Sequence, residues 1–124
     1  MREILFRGKR VDNDEWIEGF FAKSGDKTFI LIDSDIAFGY VTMKEVLSET
    51  VGQYTGVTDK NGKKIFEGDI VQGEAEEARG VVEWQQAEGR YLVSVRNGYD
   101  WLCMDDDDWC VIVNIHDNPE MLED

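Results

Sequence analysis

The stretch "TVGQYTGVTDKNGKKIFEGDIV" (Thr50–Val71) carries the strongest folding signal in the chain. Its β-branched and aromatic residues predict two strands, Val51–Val57 and Lys64–Phe66, with Asp59–Gly62 between them. Asn-Gly is among the strongest short hairpin signals, because both residues accept positive φ at low cost. The sequence therefore predicts that the chain turns back on itself at this point.

A second bend is predicted directly afterwards, at Glu67–Asp69. Asp69 is placed to accept hydrogen bonds from backbone amides, and Ile70 and Val71 begin a new strand. Each unusual residue of the stretch thus has a predicted role in the backbone, which favours a scaffold over a chemical site.

Short apolar runs separated by turn residues also fill the preceding part of the chain. Glu3–Lys9 and Glu15–Ala22 predict a hairpin closed through Val11–Asp14, whose Asn and Asp side chains bond nearby backbone. Thr28–Ile32 and Phe38–Thr42 predict two further strands. The 124 residues contain 12 Gly, one Pro and no linker-like tract, so the sequence predicts a single β domain over residues 1–124.

The second half predicts a meander of four strands, which are Gly80–Trp84, Arg90–Arg96, Tyr99–Met104 and Trp109–Ile115. A short helix is the alternative for Tyr99–Met104. A two-residue turn at Asn97–Gly98 would set Val93 opposite Leu102. The same register, continued through the next loop, pairs the last two strands and places Cys103 opposite Cys110.

The expected fold class is mainly β, a small antiparallel sheet or barrel of short strands and hairpins. Pro119 at the first position of a helical turn, after Asp117 and Asn118, adds a short C-terminal helical turn. The longest apolar runs, such as Trp109–Ile115, are far shorter than the roughly 20 residues that cross a bilayer, and no signal-peptide pattern opens the sequence. A cytoplasmic location is therefore expected.

The formal net charge is -14 at pH 7 and is unevenly distributed. Residues 1–66 hold 11 acidic against 10 basic side chains, net -1, whereas residues 67–124 hold 16 against 3, net -13. Direct nucleic-acid binding is not expected, because a grip on phosphates depends on Lys and Arg. The asymmetry favours a basic partner for the second half, or head-to-tail association with the basic cluster Arg2, Arg7, Lys9 and Arg10. A well-solvated surface is the simpler interpretation.

The run Asp105–Asp108 is the most conspicuous candidate for chemistry. Adjacent carboxylates bind hard cations such as calcium or magnesium, but calcium loops alternate their ligands and include a Gly for the turn. The run has neither feature, which favours a solvated loop. Turn chemistry also explains the other candidates for paired carboxylates, which are Glu67, Asp69, Asp12, Asp14 and Glu15.

Cysteine and histidine chemistry has little support. Cys103 and Cys110 lie within disulfide reach in the predicted register, but a reducing cytoplasm favours free thiols, and no second Cys pair completes a zinc site. His116 shares a strand face with Cys110 if no bulge intervenes, at a separation of about 20 Å. Since no nucleotide-binding or hydrolase motif is present, we expect no catalytic residue, cofactor or metal.

Four aromatic residues of the second half, Trp84, Tyr99, Trp101 and Trp109, could in principle stack on nucleic-acid bases. A stacking groove normally has basic neighbours, and these residues have almost none. Core packing or a protein interface is the favoured interpretation.

Three segments together resemble the YopX-like family of phage and prophage proteins: "KRVDNDEWIEGF" (Lys9–Phe20), Thr50–Val71 and "VIVNIHDNPEML" (Val111–Leu122). The resemblance spans nearly the whole chain. It implies a small, largely β, barrel-containing fold that acts in a bacterial cytoplasm, and it implies no catalytic residues. Asp14 stands where the family often has Gly. Val113 also stands where the family usually has Gly, which puts an expected bulge there in doubt.

The leading functional hypothesis is a non-enzymatic interaction module of phage or prophage origin, with self-association as one form. One alternative is an acidic decoy that occupies the nucleic-acid site of a basic host protein. A second alternative is a metal-dependent hydrolase or nuclease that uses the Asp cluster. The expected partner is a protein, either a second copy or a basic host protein, with neither nucleic acid nor membrane.

Overall fold

The computed structural model describes residues 4–35, 40–73, 79–95, 98–101 and 109–122. These ranges contain the strands β1 Phe6–Lys9, β2 Trp16–Ser24, β3 Lys27–Asp35, β4 Tyr40–Val46, β5 Gly52–Thr58, β6 Lys64–Phe66, β7 Asp69–Gln72, β8 Arg79–Gln85, β9 Arg90–Val95, β10 Gly98–Trp101 and β11 Cys110–Asn114. Short 3₁₀ turns occur at Ser48–Thr50 and Pro119–Leu122. The predicted mainly β, antiparallel fold with a C-terminal helical turn is confirmed. Of the two architectures in that prediction, the described strands form open sheets rather than a closed barrel.

The chain divides into two compact units, Met1–Tyr54 and Thr55–Asp124. The boundary falls inside β5, and each unit is considered by itself below. The organisation of the chain as a single domain stays a prediction.

The first unit contains an antiparallel sheet in the order β4-β3-β2-β1-β5. The predicted first hairpin is confirmed, with Phe6 opposite Gly19 and Lys9 opposite Trp16. In its turn the Arg10 N–H donates to the Glu15 carbonyl (2.8 Å), and Asn13 Oδ1 accepts from the Glu15 amide (3.0 Å). Asp14 takes the left-handed conformation, with φ 60, at the position where the resemblance noted above leads us to expect Gly.

This sheet curls so that the end of β4 reaches the end of β1. Arg10 and Val46 form an isolated antiparallel bridge, flanked by hydrogen bonds from the Leu47 amide to the Lys9 carbonyl (2.9 Å) and from the Val11 amide to the Glu45 carbonyl (3.1 Å). The inner face buries Ile30 and Val46. Curling of this kind lets the apolar side chains of one sheet pack against each other.

Glycine makes the close packing of the inner face possible. A Cβ on Gly19 would collide with the backbone carbonyl of Leu31 on β3, and a Cβ on Gly8 would lie 2.9 Å from a methyl group of Val46. A backbone oxygen cannot rotate out of the way, so β2 and β3 hold this spacing only with Gly at position 19.

Gly19→Ala should therefore destabilise the protein by about 3 kcal/mol or more, because β2 would have to move away from β3. The matched control is Gly25→Ala in the next turn, where φ is 64 and nothing lies within 4 Å of the added Cβ. Only the left-handed backbone then opposes the methyl group, at about 1 kcal/mol. Urea unfolding of both variants checks the difference, and equal losses would contradict the close-packing argument.

The second unit contains a sheet in the order β10-β9-β8-β7-β11. Its central strands are buried on both faces. One face contributes to a core cluster of Val57, Ile65, Val71, Val82, Tyr91, Val93 and Trp109. The other face buries Ile70, Val81 and Leu92. Burial on both faces explains why these strands read as continuous apolar runs.

Two predicted pairings in this unit are wrong. β10 pairs with β9 as expected, but Asp100 rather than Leu102 is the partner of Val93, a slip of two residues. β11 pairs with β7, and among the described residues it does not pair with β10. Cys110 lies opposite Gln72, and its predicted partner Cys103 lies outside the described residues. Side-chain alternation fixes which face a residue takes, but it does not distinguish registers that differ by two, nor does it identify a distant partner strand.

A β-bulge does occur at the position that the sequence left in doubt. Val111 pairs with Val71 and Val113 pairs with Ile70, which leaves Ile112 as the extra residue. A β-branched residue at position 113 is therefore compatible with the bulge.

The predicted turn between β5 and β6 is confirmed in place. The Gly62 amide donates to the Asp59 carbonyl (2.9 Å), and the Asp59 amide donates to the Lys63 carbonyl (2.7 Å). Gly62 has φ 83, whereas Asn61 is not among the described residues with positive φ. This is the three-residue loop in which a type I turn is followed by a left-handed Gly.

Candidate functional site

The buried Asp59 carboxylate ties the β5–β6 turn to β11. Its Oδ1 accepts hydrogen bonds from the Asn61 amide (2.8 Å) and the Lys63 amide (2.9 Å). Its Oδ2 accepts one from the Val111 amide (3.0 Å). Burial alone would raise the pKa of this carboxyl, but the hydrogen bonds from Val111, Lys63 and Asn61 outweigh burial and hold the pKa below its usual value. All three bonds satisfy backbone amides, so Asp59 is a structural residue.

Asp59→Asn should destabilise the protein by about 1–3 kcal/mol at pH 7, because a neutral amide cannot accept all three bonds and leaves a buried N–H unsatisfied. The folded pKa lies below the unfolded one, so the stability that the carboxylate contributes is present above the unfolded pKa of about 4. It is lost as the pH falls through the folded pKa.

The difference in melting temperature between wild type and Asp59→Asn should consequently become smaller as the pH is lowered below about 4. Melting temperatures from pH 7 to pH 3 measure it. Asp12→Asn is the control, since Asp12 is an exposed carboxylate, and it should leave the melting temperature nearly unchanged. A melting-temperature difference between wild type and Asp59→Asn that does not vary with pH would contradict a stabilising role for the ionised Asp59 carboxylate.

The carboxylates considered for acid/base work are also engaged locally. Asp69 is fully buried, and its Oδ2 accepts from the Phe66 amide (2.8 Å), as the sequence predicted. Asp12 forms two hydrogen bonds with the Arg10 guanidinium (2.9 and 2.7 Å), which lowers the pKa of its carboxyl. Asp14 and Glu15 are exposed in the same turn, and Glu67 is half-buried in the bend before β7.

The structure does not gather ligands for a metal ion in the part of the chain that it describes. No group of three or more His, Cys, Asp or Glu side chains is suitably placed there. Asp105–Asp108 lies outside the described residues.

Cys110 is the first residue of β11, and His116 lies two residues beyond the end of that strand. The half-buried Cys110 Sγ accepts a hydrogen bond from Asn61 Nδ2 (3.4 Å), and Cys103 lies outside the described residues. His116 lies in an exposed turn, and its backbone amide donates a hydrogen bond to Asn114 Oδ1 (3.0 Å). The bulge at Ile112 intervenes between them, so equal parity no longer places the two side chains on one face.

The tryptophans whose side chains are described do not form a common platform. Trp109 is buried in the core of the second unit. Trp84 is 43% exposed at the end of β8, where it meets Tyr91 edge to face at 5.0 Å and donates to Gln86 Oε1 (2.9 Å). Of Tyr99 and Trp101 only the backbone is described.

Part of the predicted basic cluster has partners within its own unit. The Arg7 guanidinium lies 4.8 Å from the centre of the Trp16 ring. Arg10 forms an ion pair with Asp12 (2.7 Å). Lys9 is half-buried on β1, and Arg2 lies outside the described residues.

The outer face of the first unit carries an apolar row that the sequence reading did not single out. Phe20 on β2 is the cross-strand partner of Leu31 on β3, which is in turn the partner of Met43 on β4. Cross-strand partners share a face, so these three side chains lie side by side on the face opposite Ile30 and Val46. Phe20 is 58% exposed and Met43 is 56% exposed. We call Phe20, Leu31 and Met43 the apolar row.

The surroundings of the apolar row are mixed in character. On one side lies a second cross-strand row of Ala22, Phe29 and Glu45. On the other side Arg7 pairs across the strands with Glu18. Two half-buried apolar residues and charges of both signs thus border the exposed row, as in a protein-binding patch with a polar rim.

The sequence matches the family model described as YopX protein over residues 5–123. The chain belongs to the YopX family. This confirms the resemblance seen in the turn motifs. Among solved structures, three chains match.

One of them is the protein EF1440 from Enterococcus faecalis, with 24% identity and a TM-score of 0.63, over 99% of this chain and 100% of that one. At that identity the likeness shows a shared fold alone. A search of the curated proteins finds no match. No helix among the described residues has both the length and the apolar character needed to cross a membrane.

Proposed function

We propose that the protein is a non-enzymatic interaction module that binds a protein partner through the apolar row. The observation that carries the proposal is the exposure of Phe20 and Met43 on either side of Leu31. Large apolar side chains on a sheet are normally covered by another element, and the solvated face normally carries polar side chains. Burying the exposed half of each would contribute about 1 kcal/mol per side chain.

The row is not needed for the core of its own unit. Phe20 follows Gly19, which faces the buried side, so Phe20 points to the opposite side of β2. Met43 is the partner of Leu31 and lies on the same outer side of β4. Their exposure is a consequence of the register and therefore a property of the folded protein.

The candidate carboxylates give less support to the enzymatic alternative. Asp59 and Asp69 use their oxygens to satisfy backbone amides, and Asp12 is held by Arg10. A general acid or base must have an oxygen within reach of its substrate. Asp59 and Asp69 are structural residues of their turns, and Asp12 is an exposed carboxylate paired with Arg10.

The acidic decoy is a second candidate, supported by the charge of the second unit. Thr55–Asp124 holds 17 acidic and 6 basic side chains, net -11. Among the acids whose side chains the structure describes, Glu83, Glu88, Asp117 and Glu120 are exposed. Binding to a basic protein through these groups would weaken with salt, whereas binding through the apolar row would not.

Photo-crosslinking tests the proposal directly. A photoreactive phenylalanine analogue is placed at position 20 or 43, and for control at position 23, where Lys23 is exposed on the opposite face of β2. Irradiation of cells that contain the protein should give specific adducts from positions 20 and 43, at several times the yield from position 23. Equal yields from the three positions would overturn the assignment of the row as the binding surface.

A further inference from the structure

We infer that the occupant of the apolar row is a second copy of this chain, in a symmetric dimer formed through the two first units. This inference rests on the proposed function, because it names the partner of the same surface. Symmetric contacts, in which the same patch is used by both copies, are the commonest form of self-association in soluble proteins.

The distribution of charge limits which surfaces two copies can share. Met1–Tyr54 holds 10 acidic and 7 basic side chains, net -3, whereas Thr55–Asp124 holds 17 and 6, net -11. A symmetric contact through second units would bring two strongly negative surfaces together. A contact through first units keeps the two most negative surfaces out of the interface, and the first unit is where the apolar row lies.

The charges on the outer face of the first unit allow this face to pack against the same face of a second copy. Arg7, Lys9 and Lys27 share this face with Glu18 and Glu45, as their strand register shows. Among the outer-face side chains that the structure describes, positive and negative charges are therefore nearly balanced around an apolar centre. Two such faces can meet with apolar groups buried at the middle and unlike charges at the rim.

Sheet geometry also suits contact between faces. The row crosses three neighbouring strands, a width of about 10 Å. Two sheets that pack face to face bury rows of this kind between them. Phe20 and Met43 would each lose most of their exposed surface in such a contact.

The dimer has a distinctive dependence on salt. The attraction between the two apolar rows changes little with ionic strength. The two acidic second units, by contrast, repel each other at long range. The screening length falls from about 30 Å at 0.01 M salt to about 8 Å at 0.15 M, so repulsion between the acidic units fades as salt is added. The dimer should tighten with salt, in contrast to the head-to-tail association considered from the sequence, which should loosen.

Sedimentation equilibrium of the full chain at low and moderate salt tests this inference. The wild type should be a monomer–dimer system whose dissociation constant falls about tenfold between 0.01 M and 0.15 M NaCl. The double variant Phe20→Ser/Met43→Ser should be monomeric at both salt concentrations. Val11→Ser, which removes a 48% exposed apolar side chain outside the row, is the matched control and should dimerise like the wild type.

Melting curves confirm that each variant is folded. If the double variant does not fold, Met43→Ser alone takes its place, since that side chain is largely exposed, and it should weaken the dimer at least tenfold. A wild type that is monomeric at both salts would overturn the inference, and so would a dimer that loosens with salt or survives both row variants. If the chain is monomeric while positions 20 and 43 crosslink to a different protein, the interaction module stands and only the second copy is excluded.

Discussion

The close approach of Gly19 to the carbonyl of Leu31 is the constraint on which the first unit depends. It fixes which residue of β2 faces inward, and because side chains alternate along a strand, it also fixes that Phe20 faces outward. A slip of one residue would bury Phe20 and expose the core positions. The packing requirement and the exposed apolar row are therefore two results of a single register.

The second unit depends on hydrogen bonds to a buried carboxylate. Its sheet brings together strands that are distant in the chain, and the Asp59 carboxylate connects a local turn to β11, which follows about fifty residues later. The same side chain closes its own hairpin through Asn61 and Lys63. An acidic residue in a turn thus organises both the local loop and its long-range neighbour.

Local signals in the sequence were sufficient for much of the fold. Asn61-Gly62 predicts a turn, Asp69 predicts a bond to a backbone amide, and the family is recognisable from such motifs, because turn chemistry is decided by neighbouring residues. The pairing of β11 with β7 was missed because no short-range rule identifies a distant strand. The apolar row was missed because Phe20 and Met43 look like core residues until the register of three strands is known.

The bridge between Arg10 and Val46 has a consequence for how sheets of this protein can grow. An unpaired edge strand is a template on which a further strand can add. Near its end, β4 already has such a partner, because the Val11 and Leu47 amides bond the carbonyls of Glu45 and Lys9. Strand addition is therefore blocked at this end of the edge. The molecule is protected there against the edge-to-edge stacking that leads to fibrils, while the sheet face stays available.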